Sequence, residues 1–276
     1  MVRTGAGRNS LIMKILDGRE LAGFIKERQF EVGRGTLGRR PKLLIIRDSD
    51  NPVILKYVRL KKQYGEDIGV LVEDYYASSF EEIRERILEA NSDVEIDGII
   101  LQLPIVEKEK TDELTDLIAP EKDVDGLFSH GDFDSATATA ILWLLAGYDI
   151  SLEGVRVAVV GRGKLVGAPL MKMFLKSGVQ AEMFHRGDDL ARLVEFDVII
   201  TATGVPGLIK SSMLRGGAVV VDAGTASEKG ILVGDVSEDV RAREDLRAIT
   251  PKVGGVGPLT VTCLFEHVLE AYNKHR

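Results

Sequence analysis

The hydrophobic pattern of the chain alternates between short, nearly continuous apolar runs and longer segments with helical periodicity. Such runs, each of four to eight residues, are typical of strands buried on both faces of a parallel sheet. The pattern predicts an α/β fold. Strands are predicted at 43–46, 69–72, 97–103, 155–161, 179–184, 197–203 and 218–222. Helices are predicted at about 18–31, 53–67, 80–90, 136–147, 165–177, 236–244 and 259–273.

A break in this alternation falls between residues 126 and 136, where GLFSHGDFDSAT has no periodicity and concentrates Gly, Ser and Asp. With 276 residues, the chain is long enough for two medium domains. We therefore expect two α/β units joined at this segment. Residues 1–12 are unlike a core element, and we expect them to be an added or frayed terminus, with Met13 as the natural start.

A glycine loop in the second unit follows a predicted strand and precedes a predicted helix, in VRVAVVGRGKLVGAPLMKMFLKSG. Gly161, Gly163 and Gly167 have the spacing G-x-G-x-x-x-G. Glycines in this position let the backbone approach a pyrophosphate, and the helix start offers unpaired N–H groups. The alternative is a close crossing of helix and strand with no ligand.

The next strand of this unit ends at Phe184, and His185 and Arg186 follow it. An NAD site usually carries an acidic residue here, whereas a basic residue favours the 2′-phosphate of NADP. Arg162 in the glycine loop could bind the same phosphate. The sequence therefore predicts NADP, although both arginines could equally be solvated surface charges, and Asp188 and Asp189 lie close by.

Candidate site residues of the first unit occur in three places: on a predicted helix, at the end of a predicted strand and in an aspartate-rich segment. Tyr57 and Lys61 are four apart and share a helix face, and a lysine in a dry site can act as a base. The strand segment DGIILQLP ends in Gln102 and Pro104, at the carboxyl edge where α/β sheets bind ligands. In PEKDVDG, Asp123 and Asp125 are two apart, so an extended backbone would point both the same way. Ordinary alternatives remain open: a surface helix, a buried amide and an Asp-Gly turn.

The segment PKVGGVGPLT has four Gly or Pro residues within five positions before the last helix. Glycine allows positive φ and close backbone approach to a ligand. A tight turn with Pro258 at the first helical position is the other interpretation.

Composition narrows the function classes. A net charge of −7 argues against binding nucleic acid, which requires clustered Lys and Arg. No apolar run reaches the length of about 20 residues that spans a bilayer, so no membrane association is expected. The single cysteine excludes an internal disulfide and a cysteine-based metal cluster, which fits a reducing cytoplasm, and no metal site is predicted.

Taken in order, these segments resemble the bifunctional methylenetetrahydrofolate dehydrogenase/methenyltetrahydrofolate cyclohydrolase family. The resemblance runs from about Met13 to the C-terminus. It depends on seven motifs: YVRLK (57–61), LQLP (101–104), KDVDG (122–126), GRGKLVGAP (161–169), TATG (201–204), GDV (234–236) and GGVGPLT (254–260).

The resemblance implies a bifunctional enzyme that uses NADP and a folate substrate, and it suggests a homodimer through the cofactor domain. It implies that Lys61 is the central cyclohydrolase residue, that Tyr57 shapes its site, that Gln102 hydrogen-bonds it and that Asp125 binds the pterin. It also implies that the last helix packs back on the first domain, so that GGVGP lies between cofactor and folate. The expected domains are 13–134 plus 259–276 for folate and a Rossmann domain at 135–258 for NADP. Further substrate-binding residues would be Pro104, Gly257 and Pro258, and the cofactor-binding residues would be Gly161, Arg162, Gly163, Lys164, Val166, Gly167, His185, Arg186, Thr203, Gly204 and Gly255.

The chain departs from the family pattern at four places. Gly163 stands where serine is usual, and SATA (135–138) stands where a Pro-Cys-Thr-Pro run is usual. Val253 replaces a proline, and Ile54 replaces a common serine. None of these departures removes Lys61, Gln102 or Asp125, and the intact set of Tyr57, Lys61 and Gln102 argues against a member with the dehydrogenase alone. A silent NADP-binding module and another two-domain Rossmann enzyme, such as a shikimate dehydrogenase relative, are the remaining alternatives.

Overall fold

The computed structural model describes residues 13–34, 38–127, 131–224, 226–228 and 231–274. The expectation for residues 1–12 lies outside these ranges. Eight α-helices occur in the described part of the chain: α1 (Gly18–Arg34), α2 (Pro52–Ile68), α3 (Phe80–Ser92), α4 (Thr111–Thr115), α5 (Ala136–Gly147), α6 (Gly167–Ser177), α7 (Glu238–Arg241) and α8 (Val256–Lys274). Its strands are β1 (Lys14–Ile15), β2 (Lys42–Arg47), β3 (Leu71–Tyr76), β4 (Gly98–Leu101), β5 (Val157–Val160), β6 (Ala181–Phe184), β7 (Val198–Thr201), β8 (Val219–Asp222), β9 (Ala226–Glu228), β10 (Ile231–Val233) and β11 (Ala248–Ile249).

Two parallel sheets form the framework, which confirms the predicted α/β class. The smaller sheet has the order β3-β2-β4, and the larger has the order β1-β11-β8-β7-β5-β6. All four residues of β4, β5 and β7 are buried, because these strands are covered on both faces. The carboxyl ends of β5, β7, β8 and β11 lie at one edge of the larger sheet, where ligands bind in open α/β folds.

Helices α5 and α8 connect the two sheets. Val256 and Leu259, at the start of α8, pack in the hydrophobic cluster beside the larger sheet. From Cys263 to Ala271, the same helix contributes to the cluster beside the smaller sheet. Helix α8 also contacts α1, α2 and β4. The return of the last helix to the first domain is therefore confirmed.

The prediction of a strand at 69–72 was wrong in position. Helix α2 extends to Ile68, and Gly69 ends it with a φ of +83°, while the N–H of Val70 donates to the carbonyl of Gly65. The strand occupies 71–76 instead. Its polar half was missed because β3 is an edge strand and is only partly buried.

Helix boundaries also differ near the C-terminus. The helix predicted at 236–244 covers only 238–241, because Val236 forms a β-bridge with Ile209. Helix α8 begins at Val256, so Pro258 is its third residue rather than its first. Proline is tolerated there because N–H groups of the first turn have no acceptor within the helix.

Several short elements have no counterpart in the prediction. Strands β1 and β11 have two residues each, and β9 and β10 form an antiparallel pair. Within the described residues, no helix combines the length and the apolar character that crossing a bilayer would require.

Candidate active site

Helix α2 presents the predicted Tyr57 and Lys61 pair. Asn51 caps the helix start through its side chain, and Pro52 occupies the first helical position. Tyr57 and Lys61 are one turn apart on a half-buried stretch of the helix. The Lys61 Nζ donates a hydrogen bond of 2.8 Å to the Gln102 Oε1. Lys61 therefore points towards the edge of the smaller sheet.

Gln102 directly follows β4 and is 8% exposed. Its Nε2 donates to the carbonyl of Leu103 at 3.2 Å, which leaves Oε1 for Lys61. Leu103 and Pro104 are joined by a cis peptide bond, and Pro104 is exposed. The amide of Gln102 thus holds the lysine in one direction.

Asp125 is the carboxylate that acts on this lysine. Burial lowers the pKa of Lys61 below its ordinary value of 10.5, and the charge of Asp125 opposes the shift. Burial raises the pKa of Asp125 above 3.8, and the charge of Lys61 opposes that shift. Burial also raises the pKa of Tyr57. These opposed effects describe an amine and a carboxylate that share a poorly hydrated site.

The KDVDG segment is a turn and not the extended backbone considered for its two aspartates. The N–H of Val124 donates to the carbonyl of Lys122, and Gly126 donates to the carbonyl of Asp123. Asp123 is 1% exposed and bridges to β4, so only Asp125 is placed to act on Lys61.

Lys122 and Gly126 have structural functions in the same turn. Lys122 is buried, and its ammonium donates to the carbonyls of Ala90 and Asp93 at the end of α3. Gly126 has a φ of +67°, and a Cβ there would lie 2.3 Å from the carbonyl oxygen of Asp134. The turn is therefore fixed on both sides of Asp125.

The glycine loop lies between β5 and α6, as predicted. Gly161 has a φ of +107°, and a Cβ on Gly167 would lie 1.8 Å from the Gly161 carbonyl oxygen. A Cβ on Gly163 would meet no atom within 4 Å. The outer two glycines are thus required by the loop itself, while Gly163 faces open space where a ligand's phosphate could approach.

Two side chains tie this loop to the first half of the chain. The Lys164 ammonium donates to Asp112 Oδ1 at 2.7 Å and to Thr115 Oγ1 at 2.6 Å, both on α4. The Ser135 hydroxyl donates to the carbonyl of Leu165 at 2.7 Å, and the next residue, Ala136, donates its N–H to the carbonyl of Asp125. One short segment therefore links the glycine loop to Asp125, and the Lys164 ammonium is engaged with α4.

The basic residues of the cofactor half are exposed at the same edge of the sheet. Arg162 is in the glycine loop, and His185 and Arg186 follow β6. Asp188 accepts from the backbone N–H of His185, and Asp189 caps the following 3₁₀ turn. Neither acidic side chain forms a described ion pair with Arg162 or Arg186, so the structure leaves these two guanidinium groups accessible to a phosphate.

Beside the loop, Thr203 and Gly204 follow β7, and a buried carboxylate that sequence reasoning missed holds the Thr203 backbone and the end of the strand. Asp235 is 0% exposed, and its Oδ2 accepts from the Thr201 hydroxyl at 2.7 Å and the Thr203 N–H at 2.6 Å. The backbone N–H of Asp235 donates to Asp222 Oδ1 at 3.0 Å, and Asp222 forms a salt bridge of 2.6 Å with Arg241. The acidic residue in the GDV motif was the available signal. Val166, which is 8% exposed, packs beneath the loop.

The segment 251–258 follows β11 and lies against the start of α1. Gly254 accepts from the N–H of Gly18 at 2.9 Å, and Gly255 is buried against Thr250. A Cβ on Gly257 would meet nothing within 4 Å. The structure therefore gives Gly255 a packing function and leaves Gly257 exposed beside open space, with the half-buried Pro258 next to it in the chain.

His267 on α8 is a further buried group near Asp125, and the sequence pattern did not single it out. Its ring stacks on Phe133 with a centroid separation of 4.8 Å.

Among the residues that the structure describes, no group of three His, Cys, Asp or Glu side chains could hold a metal ion.

Comparison with known proteins agrees with this arrangement. Residues 16–125 match the model of the tetrahydrofolate dehydrogenase/cyclohydrolase catalytic domain, and residues 135–276 match its NAD(P)-binding domain. A bifunctional protein FolD from Lactobacillus helveticus is 37% identical over 273 residues, which are 93% of this chain and 96% of that protein.

Solved structures show the same relationship. The bifunctional FolD enzyme of Campylobacter jejuni superposes with a TM-score of 0.88 at 31% identity, over 96% of this chain and all of that one. FolD of Trypanosoma brucei, complexed with NADP cofactor and an inhibitor, has a TM-score of 0.87 at 29% identity, over 95% of this chain and 98% of that one.

The two family models together match most of the chain, and the Lactobacillus helveticus relative aligns with it almost from end to end. The chain belongs to the tetrahydrofolate dehydrogenase/cyclohydrolase family.

Proposed function

We propose that this protein oxidises 5,10-methylenetetrahydrofolate to 5,10-methenyltetrahydrofolate with NADP and hydrolyses the product to 10-formyltetrahydrofolate. The observation that carries the proposal is the amine of Lys61, which is hydrogen-bonded to Gln102 and whose pKa the charge of Asp125 affects. The relatives are named bifunctional, and the Trypanosoma brucei structure contains NADP, which supports the assignment.

The residues of the larger sheet fit a dinucleotide. Gly163 faces open space, the N–H groups at the start of α6 are available to a pyrophosphate, and Arg162 and Arg186 are exposed. When bound, NADP would accept a hydride from the methylene carbon of the folate. Two nitrogens bonded to that carbon stabilise the resulting cation, so this step requires no acid or base from the protein. The chain's contribution is to orient its ligands and exclude water.

Hydrolysis requires a water molecule to attack the cationic methenyl carbon. A lysine assists this attack best when it is neutral, and burial has already lowered the pKa of Lys61. The cationic folate would lower that pKa further by repulsion between like charges. Gln102 fixes the amine, Tyr57 forms one wall of the site and Asp125 binds the pterin. Pro104, Gly257 and Pro258 line the substrate side in this proposal.

An Asp125→Ala variant is expected to bind the folate about 10 to 100 times more weakly, because a half-buried charged hydrogen-bond partner is lost. Both activities should fall through this loss. Calorimetric titration with the folate measures the dissociation constant. Asp134→Ala, an exposed residue of the following loop, is the control and should bind normally. An unchanged folate Kd in Asp125→Ala contradicts the assigned role.

An Arg186→Ala variant is expected to raise the KM for NADP about tenfold while leaving the KM for NAD unchanged, because a charged contact to the 2′-phosphate is removed. Initial rates with both cofactors test this. Arg192, which is exposed and pairs with Glu182 at 2.8 Å, gives the matched Arg192→Ala control. A wild-type preference for NAD would refute the cofactor assignment.

One assay separates the proposed function from its alternatives. The enzyme is supplied with methylenetetrahydrofolate and NADP, and the absorbances of NADPH and the methenyl product are followed. A transient methenyl signal is expected. A stable methenyl product would indicate a dehydrogenase alone, and cofactor binding without turnover would indicate a silent module.

We further propose a division into a folate domain, residues 13–134 plus 259–276, and an NADP domain, residues 135–258. Strand β1 would then cross from the first domain into the larger sheet. A homodimer and a cytoplasmic location complete the proposal, and the single cysteine supports the reducing location.

A further inference from the structure

His267 contacts the backbone immediately before Asp125. Its Nδ1 lies 2.8 Å from the carbonyl oxygen of Val124, and His267 is 8% exposed. A carbonyl oxygen can only accept a hydrogen bond, so Nδ1 carries the proton in this contact. No backbone N–H among the described residues is found to donate to this carbonyl, which makes the imidazole its hydrogen-bond partner.

The second ring nitrogen faces a thiol. Nε2 lies 3.7 Å from the Sγ of Cys263, one helical turn earlier on α8. Burial raises the pKa of Cys263 to about 12, so the thiol stays protonated at neutral pH and donates to Nε2. Burial also lowers the pKa of His267, which favours the neutral ring. The two contacts together select one neutral tautomer.

Stacking on Phe133 fixes the orientation of the His267 ring. Phe133 stacks on it at 4.8 Å between centroids, with an angle of 25° between the planes. Both Phe133 and Val124 belong to the hydrophobic cluster beside the smaller sheet, and Val124 is 0% exposed. The imidazole therefore fixes the Val124 carbonyl from the core side, while Gly126 fixes the turn after Asp125.

We propose that His267 is a positioning residue for the folate site: by binding the Val124 carbonyl from α8, it sets the direction in which Asp125 presents its carboxylate. Here the role of Asp125 rests on the proposed function. His267 itself does not touch the substrate in this scheme.

The test compares one substitution that removes the hydrogen-bond donor with one that removes the ring. His267→Phe retains the ring and its stacking on Phe133 but cannot donate a hydrogen bond. His267→Asn loses the ring, but its Nδ2 can occupy the place of the imidazole Nδ1 and donate to the carbonyl. We expect the folate Kd and KM to rise about tenfold in His267→Phe and to stay within about twofold of wild type in His267→Asn. The Kd for NADP is expected to be unchanged in both.

Thermal unfolding of both variants separates positioning from stability. If folate affinity follows the loss of stability and not the presence of the donor, His267 is only a packing residue and the proposal fails. A His267→Phe variant that binds folate as tightly as wild type overturns it as well.

A spectroscopic measurement is independent of folate binding. In ¹⁵N-histidine-labelled protein, long-range ¹H–¹⁵N correlation should show His267 with a protonated Nδ1 and a bare Nε2, assigned by the signal that disappears in His267→Asn. The opposite tautomer would refute the hydrogen bond itself. The correct tautomer together with wild-type protein that lacks both enzyme activities would refute the proposed function and leave this contact standing.

Discussion

A Lys61→Met variant is expected to lose methenyltetrahydrofolate hydrolysis by a factor of about 10² to 10⁴, the usual contribution of a positioned acid or base, while hydride transfer continues at a measurable rate. The two activities separate because hydride transfer requires only orientation, whereas water attack requires the amine that Gln102 holds. The measurement is the decay of methenyl absorbance beside the rate of NADPH formation.

The neighbouring lysine provides the control for this experiment. Lys62 is exposed, and its nearest carboxylate, that of Asp74, is 3.8 Å away. Lys62→Met should therefore retain both activities. Because burial lowers the pKa of Lys61, wild-type hydrolysis should increase with pH as the amine loses its proton, below the ordinary lysine value of 10.5. Normal hydrolysis by Lys61→Met would remove this residue from the mechanism.

The sequence predicts the buried elements of the fold well, because burial on both faces leaves an unmistakable apolar run. Helix α5 occupies its predicted range, and its start is marked by the Ser135 hydroxyl that accepts from Ala138. Strand β3 was misplaced because its outer part is polar at the sheet edge. Strands β1 and β11 are too short to show any period, and only the long-range pairing of their backbones creates them.

The residues of the candidate site also differ in how well the sequence predicts them. Lys61 and Gln102 are 41 positions apart, yet the sequence pattern made both candidates and the family resemblance assigned their roles, since each occupies a recognisable position on a helix or at the end of a strand. The support around them gave no such signal. His267 lies on a mostly buried helix, where a lone histidine looks like any core residue, and its contact with Val124 spans 143 positions. Contacts of this kind depend on the packing of α8 and not on local pattern.

A Gly18→Ala variant is expected to lose about 3 kcal/mol of stability and to weaken both NADP and folate binding, because the added methyl group has no space. Gly18 is buried at the start of α1, and a Cβ there would lie 1.8 Å from the carbonyl oxygen of Gly255. The Gly18 N–H also donates to the carbonyl of Gly254. A methyl group on residue 18 would therefore push the GGVGP segment away from the start of α1 and break this hydrogen bond.

The same helix supplies a matched control in Gly23, which is exposed and where a Cβ would meet no atom within 4 Å. Gly23→Ala should raise stability by up to about 1 kcal/mol, since alanine is the better helix former, and should leave both activities unchanged. Chemical denaturation and steady-state kinetics on the two variants measure the contrast. The two substitutions add the same methyl group to one helix, and the methyl group meets the backbone of Gly254 and Gly255 only at Gly18. Equal stability and equal KM values in the two variants would mean that GGVGP is not held against α1, and the position assigned to this segment between the two ligands would lose its structural support.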